Sequence, residues 1–562
     1  MFDERTRASA EALARRWETA RAARYGPAPP AGRTRSGIPL KPVYGPGDLE
    51  GRDYGAIGMP GEFPYTRGIY PLGYQHQPWM SQLVHGYGLP EDTRKRMDAL
   101  LAQGMRGYAG NPVFNLVFDL PSQAGYDPDH PEAEGRVGQS GVSVATVDDL
   151  ATLFEGLPLD RTNASFIVGE PSIVVLAMYV VMAEERGYAP DVLRGNSMNY
   201  LLRGFSWDVV MFPPREALRV SVELIRYCVA RMPRWNTTNL SGYIIREAGA
   251  SAIQEVAFVL AKGWNLAEAC IEAGLEPGAF LPRFGFQLAF HSDFFEEVAK
   301  IRALRRMWAR GNRERFGARD PRALQARIHV HTAGSTLVAQ QPLNNAIRAA
   351  VQSLGALLAE TNSLQTSAYD EALAIPTEEA ATLALRTQQI LLHETGIPRV
   401  TDPLAGSYYV EWLTDRIEAE VTGLLDGIEA RGGFLRAYAE GWLRQEIARE
   451  AARQRTAVDR GEEVVVGVNA YPAGGLAAPA VFELDSAVEA TAVARVRACR
   501  AGRDAARVAG ALARVEAVAA AIRAGDRREL LMEALLDAAR ARATLGEAMD
   551  VLKRVFGYGY TS

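Results

Sequence analysis

Between residues 66 and 400, short apolar runs alternate with longer stretches of helical period. The runs 114–120, 164–168, 284–290 and 328–331 are rich in Phe, Val, Leu and Ile and too short for helices, which predicts strands. The stretches 174–186, 217–231, 250–261 and 294–310 carry apolar residues three and four apart, which predicts helices. Strand and helix alternating in this way predict a parallel α/β fold, and the leading form is a (β/α)8 TIM-type barrel. In such a barrel the chemistry gathers at the C-terminal ends of the strands.

The flanks read differently. Residues 2–24 predict an amphipathic helix rich in Arg and Ala. A Pro- and Gly-rich arm follows, from 26 to about 68, which has too little apolar surface for a core and must wrap its own chain or a partner. From 415 onward the pattern is helical, broken by a Gly/Ala/Pro loop at 469–479 before a last block at 486–556. The expected organisation is an N-terminal helix and extended arm making a subunit contact (1–65), a barrel holding the site (66–414) and a helical C-terminal region (415–562).

Composition narrows the function classes. Of 562 residues, 48% are hydrophobic and 23% charged, ordinary globular usage. Lys plus Arg is 62 against 67 for Asp plus Glu, a formal net charge of −5, which disfavours nucleic acid as a partner. Cys228, Cys270 and Cys499 are too few and scattered for a disulfide framework or a zinc site. The longest apolar run, 173–183, falls short of the roughly 20 residues that span a membrane. The N-terminus is acidic and lacks an apolar segment, so no signal peptide is expected and the reducing cytoplasm is the default compartment.

Candidate chemistry is sparse on the residues alone. The stretch 65–88 packs aromatics with His76, His85 and three Gln, as a binding surface or as a loop buried under the arm. His329 and His331 lie two apart on a predicted strand, so both imidazoles face one way, toward substrate, a metal or a structural partner. Glu247 and Glu371 each follow a strand-like run; either is a site carboxylate or an ordinary carboxylate at a helix start. Asp119 inside an apolar strand is structural glue or functional, since burying a lone carboxylate is costly. There is no G-x-G-x-x-G after a strand, no Walker loop, no G-x-S-x-G and no H-E-x-x-H. These features give an α/β barrel enzyme with helical appendages and no reaction.

The stretch FPYTRGIYPLGYQHQPW (63–79) resembles the adenosylcobalamin-dependent acyl-CoA mutases, the methylmalonyl-CoA mutase family. The likeness continues through FDLPSQAGYDPDHPEAEGRVGQSGV (118–142), SGYIIREAGA (241–250), YDEALAIPTEEAATLALRTQQIL (369–391) and ETGIPRVTDPLAGSYYVE (394–411), and covers roughly 55–450. It implies a (β/α)8 barrel whose centre takes the pantetheine arm of an acyl-CoA, and a radical 1,2-rearrangement of the acyl skeleton. The family's cobalamin domain carries D-x-H-x-x-G, which none of the seven His here matches. The resemblance therefore implies the large subunit of a split mutase, similar to the isobutyryl-CoA and 2-hydroxyisobutyryl-CoA mutases. Its adenosylcobalamin would be bound mainly by a separate small subunit. A dimer of large subunits is the family habit, and a GTPase chaperone is an open further partner.

Position by position, the resemblance implies that Tyr70 and Trp79 line the thioester channel. Asn236, Arg283, Arg327 and His329 contact substrate, Tyr243 and Glu247 form the active strand end, and Glu371 holds the adenosyl ribose. The departures point to the acyl group. The family's S-G-Y-H is Ser241-Gly242-Tyr243-Ile244, so the imidazole that meets the thioester carbonyl is missing, with His331 as a substitute. Trp207 or Asp208 stands where the methylmalonyl branch clamps a carboxylate with Arg. Val84 and Val117 widen an apolar pocket, Gln77 and Gln82 replace two Arg of the CoA half, and Ser335 replaces a Trp. Together they imply a branched, non-carboxylated acyl-CoA rather than methylmalonyl-CoA. The alternatives are a family isomerase for a non-CoA substrate and an inactive scaffold that binds the cobalamin subunit.

Overall fold

The computed structural model describes residues 3–26, 32–51, 53–200, 212–472 and 480–559. Among the described residues, ten strands are all paired in parallel: β1 (Met80–Ser81), β2 (Val84–His85), β3 (Val113–Val117), β4 (Asn163–Ile167), β5 (Arg194–Ser197), β6 (Trp235–Asn236), β7 (Thr238–Ser241), β8 (Phe284–Phe290), β9 (Arg327–Thr332) and β10 (Ser363–Gln365). They form two five-stranded sheets, β1-β10-β9-β8-β7 and β2-β3-β4-β5-β6. Two residues separate β1 from β2 and one separates β6 from β7. Each of these two extended stretches therefore gives its first half to one sheet and its second half to the other.

Helices connect the strands as parallel pairing requires. The apolar run expected at 173–183 lies in the helix Ser172–Glu185, which is buried from Ser172 to Ala183. Helices pack on both of its sides, Leu531–Arg540 among them, which explains why it shows no polar stripe. Helix starts match their sequence signals: Ser251 with Gln254 and Thr146 with Asp149 form reciprocal capping boxes. The strands missing from the sequence reading are those whose apolar pattern is broken by polar residues. β5 reads Arg-Gly-Asn-Ser, and β1 to β2 reads Met-Ser-Gln-Leu-Val-His.

The N-terminal helix, Glu4–Tyr25, forms where expected but is not amphipathic in use. It has no buried residue, and Leu13 and Trp17 stay exposed. The arm lies on its own chain: the Arg35 and Ser36 amides donate to Asp293 and Glu296, Arg35 pairs with Glu463 at 2.7 Å, and Ile38 enters the core. That core is one continuous cluster running from Ile38 to Phe556, so the C-terminal helices share it with the sheets. Asp119 proves structural, accepting from the Ser122 amide at 2.9 Å and the Gly138 amide at 2.8 Å. The aromatic stretch 65–88 divides: Tyr65, Tyr74 and Trp79 are buried while Tyr70 is exposed.

A second network is ionic and dry. Lys300 pairs with Glu255 at 2.8 Å and with Glu297, Arg246 pairs with Glu297 at 3.2 Å, and none of the four side chains is more than 1% exposed. Glu255 also accepts the Ala289 amide at 2.8 Å, and Lys300 donates to the Ala289 carbonyl at 2.7 Å, which fixes the end of β8. Removing one member strands a buried charge, which costs about 3–5 kcal/mol. Lys300→Met is therefore expected to lower the unfolding free energy by about that amount. Arg540→Ala, which opens the exposed 2.9 Å pair with Glu184, should cost less than about 1 kcal/mol. Denaturant unfolding followed by circular dichroism measures both.

Candidate active site

A cavity of about 320 Å³ opens at the N-terminal ends of the strands. Arg161, Arg194, Arg234 and Arg327 line it, and each lies at or just before the first residue of a strand. Their spacing follows from the topology, because parallel strands bring their starts to one side. Tyr70 and Tyr108 form part of its wall, and the Tyr108 hydroxyl donates to the Asn362 carbonyl at 2.9 Å. Among the described residues, Asn163 Oδ1, Asn239 Oδ1 and His329 Nε2 are buried in this lining without a hydrogen-bond partner. Unsatisfied polar atoms around a cationic mouth suit an anionic ligand with an amide-bearing chain.

His329 is the link inward. Its Nδ1 lies 2.8 Å from the Ser363 hydroxyl, and burial pushes its pKa down to about 4. Two residues along β9, about 6.6 Å deeper, is His331. Burial and the neighbouring His329 push the His331 pKa down to about 3. Both rings are thus neutral near pH 7, each with one N–H to donate and one nitrogen to accept. The His331 ring stacks on Tyr243, with centroids 4.2 Å apart and planes 13° apart, and neither His331 nitrogen has a described partner.

Tyr243 opens the short helix Tyr243–Glu247 that follows β7, so Tyr243 and Glu247 share one face. Glu247 is held by the turn Gly334–Thr336 after β9: the Ser335 amide donates to it at 2.7 Å and the Ser335 hydroxyl at 3.0 Å. Glu371, on the turn after β10, accepts the Ala368 amide at 2.7 Å. Desolvation pushes both carboxyls up to about 7, and for Glu371 the charges of Asp370 and then Glu247 add to this. Burial, then Glu247 and Glu371, hold the Tyr243 hydroxyl well above its ordinary range. A phenol, two carboxyls and a neutral imidazole therefore converge at the C-terminal ends of the strands.

The structure sorts the expected residues into groups. Tyr70, Asn236, Arg327 and His329 line the mouth, together with Gln82. Tyr243, Glu247, His331 and Glu371 meet at the far end, and Ile244 sits on the same short helix, half-buried. Val84 donates its amide to Gln365 at 2.6 Å, and Val117 ends β3. Trp79 lies behind the mouth, buried against Tyr74, with its indole N–H on Gln388 at 3.0 Å. Arg283 is drawn outward, donating to the carbonyls of Cys228 at 2.9 Å and Met232 at 3.4 Å. Trp207 and Asp208 lie outside the described residues. Sequence reasoning missed Tyr108, Arg161, Arg194 and Arg234. An Arg at or just before a strand start, repeated along the chain, was the available signal.

A family model described as methylmalonyl-CoA mutase matches residues 33–558. The 2-hydroxyisobutanoyl-CoA mutase large subunit of Aquincola tertiaricarbonis is 37% identical over 522 residues, covering 92% of this chain and 91% of that one. The methylmalonyl-CoA mutases of Cereibacter sphaeroides and Escherichia coli are each 38% identical over 526 residues, covering 93% of this chain and 72% of theirs.

The raised carboxyl pKa values set a sign. A carboxyl that binds its proton more tightly when folded contributes stability below the ordinary carboxylate range, and that contribution is lost as pH rises through the folded value near 7. Glu371→Gln removes this dependence. Its melting temperature relative to the parent should therefore rise by about 2–3 °C between pH 5 and pH 8, as differential scanning calorimetry would show.

Proposed function

The chain belongs to the methylmalonyl-CoA mutase family, and on that footing we propose that it is the catalytic large subunit of a split adenosylcobalamin-dependent mutase. It is an isomerase, an intramolecular transferase. Its substrate in this proposal is a branched, non-carboxylated acyl-CoA. The observation that carries the proposal is the arrangement along β9: a cation-ringed mouth at the strand starts, and a phenol–carboxyl–imidazole cluster two residues deeper. We infer that the two parallel sheets are halves of one (β/α)8 barrel, joined through residues 80–85 and 235–241, so that mouth and cluster are two ends of one channel.

In this reading Arg161, Arg194, Arg234 and Arg327 take the phosphates of CoA, which compensates for Gln77 and Gln82. The pantetheine arm then runs past His329. His331 donates to the thioester carbonyl, the role that Ile244 cannot fill. Because it is neutral, it does so without adding a charge to a dry site.

The far end also fits the adenosyl group of the cofactor. A carboxylate has about four acceptor positions; Ser335 fills two on Glu247 and the Ala368 amide one on Glu371, leaving acceptors for neighbouring hydroxyls. When bound, adenosylcobalamin supplies homolytic cobalt–carbon chemistry and the hydrogen-abstracting carbon centre. The chain's own part is to grip the ribose with Glu247 and Glu371, to orient the acyl group against Tyr243, and to exclude water. The name of the Aquincola relative, a large subunit, supports a small partner that carries the cobalamin. A dimer of large subunits, a GTPase chaperone and a cytoplasmic setting belong to the same proposal. Among the described residues, no helix is long and apolar enough to cross a membrane.

The acyl preference follows from charge. Arg246 shares a helix with Tyr243 and Glu247, yet its guanidinium turns away onto Glu297 and the Ala250 carbonyl. A second substrate carboxylate would then be buried against Glu247 and Glu371, at a cost of several kcal/mol. Val84, Val117 and Ile244 favour a branched alkyl group instead.

Reconstitution with the small subunit and adenosylcobalamin, followed by mass spectrometry, tests this. Isobutyryl-, pivalyl- or 2-hydroxyisobutyryl-CoA should isomerise at least about 100-fold faster than methylmalonyl-CoA, a gap of roughly 2.7 kcal/mol. Preferred turnover of methylmalonyl-CoA would overturn the acyl assignment. Arg194→Ala and Arg234→Ala should each raise KM for the acyl-CoA about tenfold with kcat nearly unchanged, the mark of uniform binding.

A further inference from the structure

Glu247 is gripped by a single residue. The Ser335 amide reaches Oε2 at 2.7 Å and the Ser335 hydroxyl reaches Oε1 at 3.0 Å, so both oxygens are fixed from one point. The two partners differ in setting: Ser335 is exposed, whereas Glu247 is half-buried beneath the turn. An exposed serine has water to bond with, yet this one turns both donors onto a carboxyl. The turn lies close against both Glu247 and Tyr243. A Cβ placed on Gly334 would lie 3.1 Å from Glu247 Oε2 and 3.2 Å from the Tyr243 hydroxyl.

We propose that Ser335 is a positioning residue, fixing the plane of the Glu247 carboxyl and aiming its free lone pairs at the hydroxyls of a ligand bound at the strand ends. This rests on the reading of Glu247 as a ligand-facing carboxylate. Two donors from one backbone position lock the plane of the carboxylate, so its remaining acceptor directions are fixed before a ligand arrives.

The charges around Glu247 come from several elements. Arg246 and Glu255 lie behind it and act in opposite senses, and Tyr243, His331 and Glu371 lie on the ligand side. Burial is the largest influence and favours the neutral acid; the two Ser335 bonds are the next largest and oppose it, ahead of Arg246. Arg246 is already committed to Glu297 and the Ala250 carbonyl, so it cannot take over if Ser335 is lost. Without the hydroxyl, Glu247 should become a weaker acid and free to rotate.

The test uses the full chain labelled with 13C at the glutamate carboxyl. Exposed glutamates titrate near 4.3, so those titrating near neutrality stand apart. Comparison with Glu247→Gln assigns the Glu247 signal. Ser335→Ala should move its midpoint up by about half to one pH unit, and Ser335→Thr, which restores a hydroxyl, should return it toward the parent value. In the reconstituted enzyme the acid limb of kcat/KM should move by the same amount in Ser335→Ala, again with rescue by Thr. An unchanged carboxyl midpoint in Ser335→Ala overturns the positioning role. The reading of Glu247 as ligand-facing fails separately, if Glu247→Gln turns over substrate as the parent does.

Discussion

Four charged side chains shut away from water, Arg246, Glu255, Glu297 and Lys300, hold the end of β8 and the short helix after β7 in place. An apolar cluster could fill the same volume, often at no loss of stability. What it could not supply is direction. Glu255 and Lys300 grip the amide and carbonyl of Ala289, which pairs with His331 across β8 and β9. Arg246 holds the short helix that carries Tyr243 and Glu247. The N-terminal arm fastens onto Asp293 and Glu296, at the head of the helix that bears Glu297 and Lys300. The two strands and the short helix are thus oriented by one set of buried bonds, with the arm fastened beside them at the head of the same long helix.

That rigidity suits the chemistry argued for the site. Two carboxyls, a phenol and an imidazole near one another invite proton transfer and rearrangement of hydrogen bonds. Each is instead committed: Tyr243 to the His331 ring, Glu247 to Ser335, Glu371 to the Ala368 amide. Both histidines stay neutral because burial favours the uncharged ring. The proposed guidance of a reactive carbon species needs fixed distances, and these committed side chains provide them.

The long helices and β3, β4, β8 and β9 were legible in the sequence because their apolar residues face helices or the neighbouring sheet. β5, β10 and the split strands were not, because their residues facing the cavity are polar, which erases the apolar run that marks a strand. The two carboxyls and two histidines singled out in the sequence lie at the mouth and at the far end of the strands. Spacing alone put His329 and His331 on one face, although the structure sets them at different depths, one at the mouth and one against Tyr243. Trp79 and Arg283 stand apart from the cavity lining that holds Tyr70, Asn236, Arg327 and His329. Each keeps its place in the chain, but its polar group is taken up by Gln388 or by helix-end carbonyls, a commitment that depends on tertiary neighbours. The cation ring was hidden for the converse reason: its members are far apart in sequence, and only parallel strands gather their starts.

The shared core also bears on how the chain is made. The helix Ser172–Glu185, apolar on every side, is covered in part by Leu531–Arg540, roughly 350 residues downstream. At about 5–20 residues per second, a ribosome needs on the order of 20–70 seconds to deliver that cover. Throughout that interval the apolar stretch from Ile173 to Ala183 lacks that cover. Nascent chains of this protein are thus obliged to carry a sticky surface uncovered until the helix Leu531–Arg540 emerges to end that exposure.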